Sequence, residues 1–161
     1  MFVSFDQMPA TARVWIYQTN RELSDAEQAQ AESATQSFLE SWAAHQQALK
    51  ASAKVFHHRF LVITVDESHN AASGCSIDAS VHFLQQLEKQ LDVSLFDRSQ
   101  LAYWDNGTVR TVPVKDLKPK VAEGSIRKDT LIFNNVITQF GQLQDQWMQA
   151  AETSWLKRYF K

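Results

Sequence analysis

The run Phe60-Leu-Val-Ile-Thr-Val65 most constrains what this chain can fold into. Its apolar residues fall on both faces of an extended chain, so both faces must be covered, and that places the strand inside a sheet. The preceding Val55-Phe-His-His-Arg59 alternates instead. The pattern predicts one strand over 55–65 whose first half emerges toward solvent, with His57 and His58 on opposite faces. The run leads into a polar loop, Asp66-Glu-Ser-His-Asn-Ala-Ala-Ser-Gly-Cys-Ser76. After it come Ile77, Val81, Leu84, Leu87 and Leu91, spaced as the buried stripe of a helix. Ser76 is the expected N-cap, and Asp78 the first-turn acid that a helix dipole favours.

The remaining elements follow from local signals. Arg13-Val-Trp-Ile-Tyr-Gln18 is β-branched and aromatic and reads as a strand. Ser24 and Glu27 match a capping box, so a helix is expected over about 25–49, with Ala31, Ala34, Phe38 and Trp42 as its apolar face. Asn106-Gly107 between two strand-like runs is a hairpin signal. A short helix over 114–123 should stop at Gly124. A strand is expected over 129–133, then helix over about 142–159 anchored by Trp147, Trp155 and Tyr159. This order predicts one α+β domain over residues 1–161. Its single mixed sheet would have about five strands including the hairpin, packed by three to four helices, because helical crossovers allow parallel pairs.

Composition excludes several function classes. At 161 residues the chain can bury a core without metals or disulfides. Hydrophobic residues make up 44% and charged ones 21%, which argues against disorder. The net charge of −2 gives no general attraction to nucleic acid or to an anionic membrane. No apolar run approaches the roughly 20 residues of a membrane helix, and no signal peptide is visible. One cysteine rules out an internal disulfide and suits a reducing compartment, so the expected location is cytoplasmic.

Most residues able to do chemistry lie in the 66–78 loop, where three readings compete. Cys75 just ahead of a helix start would gain acidity from the dipole and act as a nucleophile. It then needs a base, for which His45, His57, His58 and His69 are candidates and His45 is the one preferred. Asp66, Glu67 and Asp78 could hold a hard cation for hydrolysis or phosphoryl transfer, although their spacing matches no metal motif and no metal is expected. Ser73, Gly74 and Ser76 offer N–H groups and hydroxyls to a phosphate or carboxylate, with Asp66, Glu67 and Asp78 lining the same loop. Each reading has a structural counterpart: a space-filling cysteine, acids that cap loop and helix, and a tightly ordered turn. No Walker A loop or dinucleotide fingerprint occurs, so no cofactor is expected. At the C-terminus Trp155-Leu-Lys-Arg-Tyr-Phe-Lys161 mixes aromatics with cations. That mixture suits a nucleic-acid contact or, more commonly, an end helix with wet cations and docked rings.

Trp15-Ile-Tyr17, Trp42-Ala-Ala-His45, Val65-Asp-Glu-Ser68, Ser73-Gly-Cys-Ser-Ile-Asp78, Phe133-Asn-Asn135 and Ser154-Trp155 together resemble a family of small bacterial proteins labelled "ABC transporter ATPase". The resemblance spans most of the chain and implies a stand-alone cytoplasmic protein. It brings no catalytic residue, and the chain lacks the phosphate-loop lysine that the label requires. The expected function is a non-catalytic module that binds a protein partner or small anionic ligand through the 66–78 loop. The alternative is a small hydrolase or phosphoryl-transfer enzyme using the same loop.

Overall fold

Two tight turns built from residues without glycine decide the topology. The computed structural model describes all 161 residues and has the α+β class expected. The chain divides into two compact units, one of residues 1–96 with 138–141, the other of residues 97–137 with 142–161.

In the first unit, strand β1 (Arg13–Gln18) precedes helix α1 (Asp25–Glu40). The Ser24–Glu27 capping box is present: the Ser24 hydroxyl accepts from Glu27 N–H, and the Glu27 carboxylate accepts from Ser24 N–H. The helix does not continue to residue 49. It stops at Ser41, and a small hairpin follows, β2 (Ala43–Ala44) and β3 (Gln47–Ala48), turning at His45 and Gln46 with φ of +52° and +66°. Across this hairpin Leu49 N–H donates to Trp42 O at 3.0 Å, and both side chains are buried, at 4% exposure for Trp42 and 0% for Leu49.

The expected strand over 55–65 is likewise two strands, β4 (Lys50–Phe56) and β5 (Phe60–Asp66). His57 and His58 form the turn between them at φ of +55° and +57°, and Arg59 N–H closes it on Phe56 O at 3.0 Å. This reversal makes β5 antiparallel to β4, and β1 pairs antiparallel on its other side, giving the order β1-β5-β4. Both neighbours supply bonds, and β5 is buried from Phe60 to Val65, as its apolar pattern requires. Helix α2 (Gly74–Leu91) then packs Leu84 and Leu87 with Leu39, Leu49, Leu61 and Ile63 in one core.

Both edges of this sheet are covered. Phe2 bridges to Ala51 on β4, and residues 138–141 lie along β1 with Val14 N–H to Thr138 O at 3.0 Å and Phe140 N–H to Ala12 O at 2.8 Å. Covering the edges removes the unpaired N–H rows that promote aggregation.

The second unit is a four-stranded antiparallel sheet in the order β7-β6-β8-β9. Its strands are β6 (Gln100–Asp105), β7 (Thr108–Pro113), β8 (Leu131–Phe133) and β9 (Met148–Ala150). Asn106 and Gly107, at φ of +51° and +85°, make the expected hairpin turn. Helix α3 (Leu117–Ala122) ends as expected, with Gly124 at φ +85°. The C-terminal stretch is not one long helix. It holds α4 (Gln142–Asp145), then β9, then two 3₁₀ turns, and Leu156 from the last of these joins Leu117, Ile126 and Ile132 in the core.

The sheets therefore number three, all with antiparallel strand pairing, in place of one mixed sheet. Parallel pairs would need a single crossover between sheet neighbours, whereas here the β2–β3 hairpin and β4 intervene between α1 and β5. No helix is long and apolar enough to cross a membrane.

Candidate functional site

The 66–78 loop connects the end of β5 to the start of α2, and its side chains are occupied in holding it. Asp66 Oδ1 accepts from Ser68 N–H at 3.1 Å, and Lys50 Nζ stands 3.8 Å from Oδ2. Hydrogen bonding by the Ser68 side chain and then its N–H, with Lys50 and His69 adding charge, holds the Asp66 carboxyl below its ordinary range. Glu67 Oε2 accepts from Ala72 N–H at 2.8 Å and lies 3.9 Å from Arg13 Nη1. Asn70 Nδ2 reaches away from the loop and donates to Gln47 O at 2.9 Å and Ala44 O at 3.2 Å, tying the loop to the β2–β3 hairpin.

The helix start is closed by two serines. Ser73, not Ser76, is the N-cap: its hydroxyl accepts from Ser76 N–H at 3.1 Å. Ser76 is the reciprocal partner, accepting from Ser73 N–H at 2.7 Å while its own hydroxyl donates to Ser73 O at 2.8 Å. Ile77 N–H is bonded to Ser73 O, so three amides at this end already have partners within the chain. Trp42 Nε1 donates to Ser76 O at 2.8 Å and anchors the first turn to the core.

With the cap at Ser73, helix α2 begins at Gly74 and the remaining candidates shift position. Cys75 lies inside the first turn, exposed, with a free thiol. Asp78 falls beyond the first turn and is exposed, because the helix starts three residues earlier than Ser76 capping implies. His45 sits at the exposed tip of the β2–β3 hairpin. No hydrogen bond joins Cys75 to His45 or to any other histidine. Asp66, Glu67 and Asp78 do not converge, and nowhere do three His, Cys, Asp or Glu side chains come together as a metal set would.

The arrangement can display a surface; a nucleophile–base pair and a ligand cage are not assembled in it. The histidine turn and Arg59 behind it were missed by sequence reasoning. The available signal was a lone arginine at the head of an apolar run, where a cation must be buried or the strand must turn. Comparison with protein-family models, with curated proteins and with solved structures found no match for this chain.

Proposed function

We propose that this protein is a non-catalytic binding module that presents the 66–78 loop to a protein partner, working in the cytoplasm. One observation carries the reading: Asp66, Glu67, Asn70, Ser73 and Ser76 bond within the chain, leaving Ser68, His69, Ala71, Gly74, Cys75 and Asp78 as an ordered exposed face. A preordered loop loses little conformational entropy on binding, which favours recognition. The same internal bonding opposes an anion at this helix start, since such an anion competes with the Ser73–Ser76 pair for amides. We also propose kinship with the small bacterial family labelled as an ATPase, without the activity its label names.

Photo-crosslinkers placed at Ala71 and at Cys75, with one at exposed Gln86 as a control, test the reading in the native host. A discrete adduct from the loop positions and not from the control supports it. The enzyme alternative makes the opposite prediction: esterase or phosphatase turnover by purified protein that is lost in Cys75→Ser or Asp66→Asn. Turnover with that pattern overturns the module reading.

A further inference from the structure

Arg59 is the most buried cation in the first unit, at 8% exposure. It follows the His57–His58 turn directly and precedes β5. A guanidinium carries five N–H donors and stays protonated in proteins. One terminal nitrogen, Nη2, donates to Thr19 O at 3.2 Å. Nε is buried without a partner, and no carboxylate of the protein lies within 4.0 Å of the group. The other two arginines of this unit are more exposed and yet paired. Arg13 has Glu67 at 3.9 Å with Trp15 beneath it, and Arg21 has Glu27 at 2.6 Å. Moving an ion out of water costs several kcal/mol unless a counter-charge or full hydrogen bonding offsets it, so buried charges are normally paired. Burial pushes the Arg59 guanidinium down, with only the charge of Glu22 opposing, and Glu22 itself is exposed.

The backbone around this group is fixed in place. Thr19 N–H and hydroxyl both point to Arg59 O, at 2.8 and 3.1 Å, and Leu23 N–H bonds His58 O at 2.8 Å. His58 Nε2 meets Asp25 Oδ1 at 2.8 Å. Two consecutive non-glycine residues in the left-handed region cost roughly 1–2 kcal/mol each, and such strain persists only where surroundings over-determine it. The turn therefore holds a guanidinium with no counter-charge, its Nε without a partner, against the β1–α1 connection.

We propose that Arg59 anchors a binding site for a small oxyanion, a carboxylate or a phosphate group, at the edge formed by the His57–His58 turn and residues 19–23. The planar fork can hold either group through two parallel N–H···O bonds. The site lies at the opposite end of β5 from the 66–78 loop, about 20 Å along a seven-residue strand, and does not rest on the partner-binding reading.

The test is made on the full chain, with sodium acetate and sodium phosphate titrated from 0.1 mM to 100 mM (test concentrations, on the order of the millimolar affinity of a single anion) against chloride at matched ionic strength. The melting temperature should climb with the logarithm of oxyanion concentration, by about 5 °C or more once the anion exceeds its Kd by about a hundredfold. Arg59→Lys and Arg59→Gln should lose that climb. In the wild type, the Arg59 Nε–H resonance should shift saturably over the same range, a readout that holds even if neither variant folds. A response to acetate alone identifies a carboxylate ligand, and a response to phosphate alone a phosphorylated one. An equal response to chloride, an unmoved Nε–H resonance, or an unchanged climb in a folded Arg59→Gln overturns the proposal.

Discussion

Arg21 holds the Glu27 carboxylate in a two-pronged grip, Nη1 to Oε1 at 2.9 Å and Nη2 to Oε2 at 2.6 Å, while Nη2 also donates to Leu91 O at 2.7 Å. One guanidinium thus ties together the loop after β1, the first turn of α1 and the last turn of α2. The grip holds the Glu27 carboxyl at about 2, against an ordinary 4.5, chiefly through the Arg21 hydrogen bond and then through Ser24 N–H. A folded-state value below the unfolded one means the pair's contribution is fully present above the ordinary value and is lost as pH falls toward the folded one. Urea denaturation of wild type and Glu27→Gln should therefore show a gap at neutral pH that closes between about 4.5 and about 2. A gap independent of pH would mean that the carboxylate charge contributes nothing.

The two serines at the start of α2 give a second test. Ser73→Ala removes the cap and should cost about 1 kcal/mol in chemical denaturation. Asp78→Ala, beyond the first turn, should change stability by less than about 0.5 kcal/mol. A larger loss at Asp78 than at Ser73 would place the helix start back at Ser76.

His45 and Gln46 occupy the left-handed region on an exposed hairpin tip. The double substitution His45→Asn with Gln46→Gly supplies the residue pair this turn geometry favours, and it should raise stability by about 1 kcal/mol. If it lowers stability instead, these side chains hold the hairpin in some way beyond turn strain.

Gly141 separates steric from conformational effects. A Cβ there would meet Ala10 Cβ at 3.1 Å and Ala10 O at 3.3 Å, so Gly141→Ala should destabilise by about 1 kcal/mol or more. Gly74, at the start of α2, has nothing within 4 Å of a built Cβ, and Gly74→Ala should be neutral or stabilising by about 0.5 kcal/mol. Thermal melts of both variants decide the matter.

What could be read in the sequence was whatever local chemistry settles alone. The Ser24–Glu27 box, the Asn106–Gly107 turn and the stop at Gly124 use residues whose preferences are strong enough to survive any context. The histidine turn was not legible, because His57-His58 is not one of the Asn-Gly or Asp-Gly pairs that mark such a turn; it is imposed by pairing Phe56 with Phe60 and Lys50 with Asp66 across the hairpin. Residues 41–49 carry Ala and Gln, good helix formers, yet a preference of a few tenths of a kcal/mol each yields to tertiary context, and here Ala43 pairs with Ala48 and Ala44 with Gln47. At the candidate loop the residue types were visible, but their internal bonding was not. Ser73 and Ser76 fit the N-cap equally well by composition, and only the path of the chain distinguishes cap from partner.

Residues 138–141, which lie beside β1, have a consequence for how the protein is made. A ribosome releases the strands, helices and core of the first unit long before it reaches Thr138. Until then the amide of Val14 and the carbonyls of Ala10 and Ala12 lack the partners that the finished molecule gives them. The first unit thus closes only after most of the second has been synthesised, and a nascent chain stalled before residue 138 exposes a strand edge to its neighbours on the polysome.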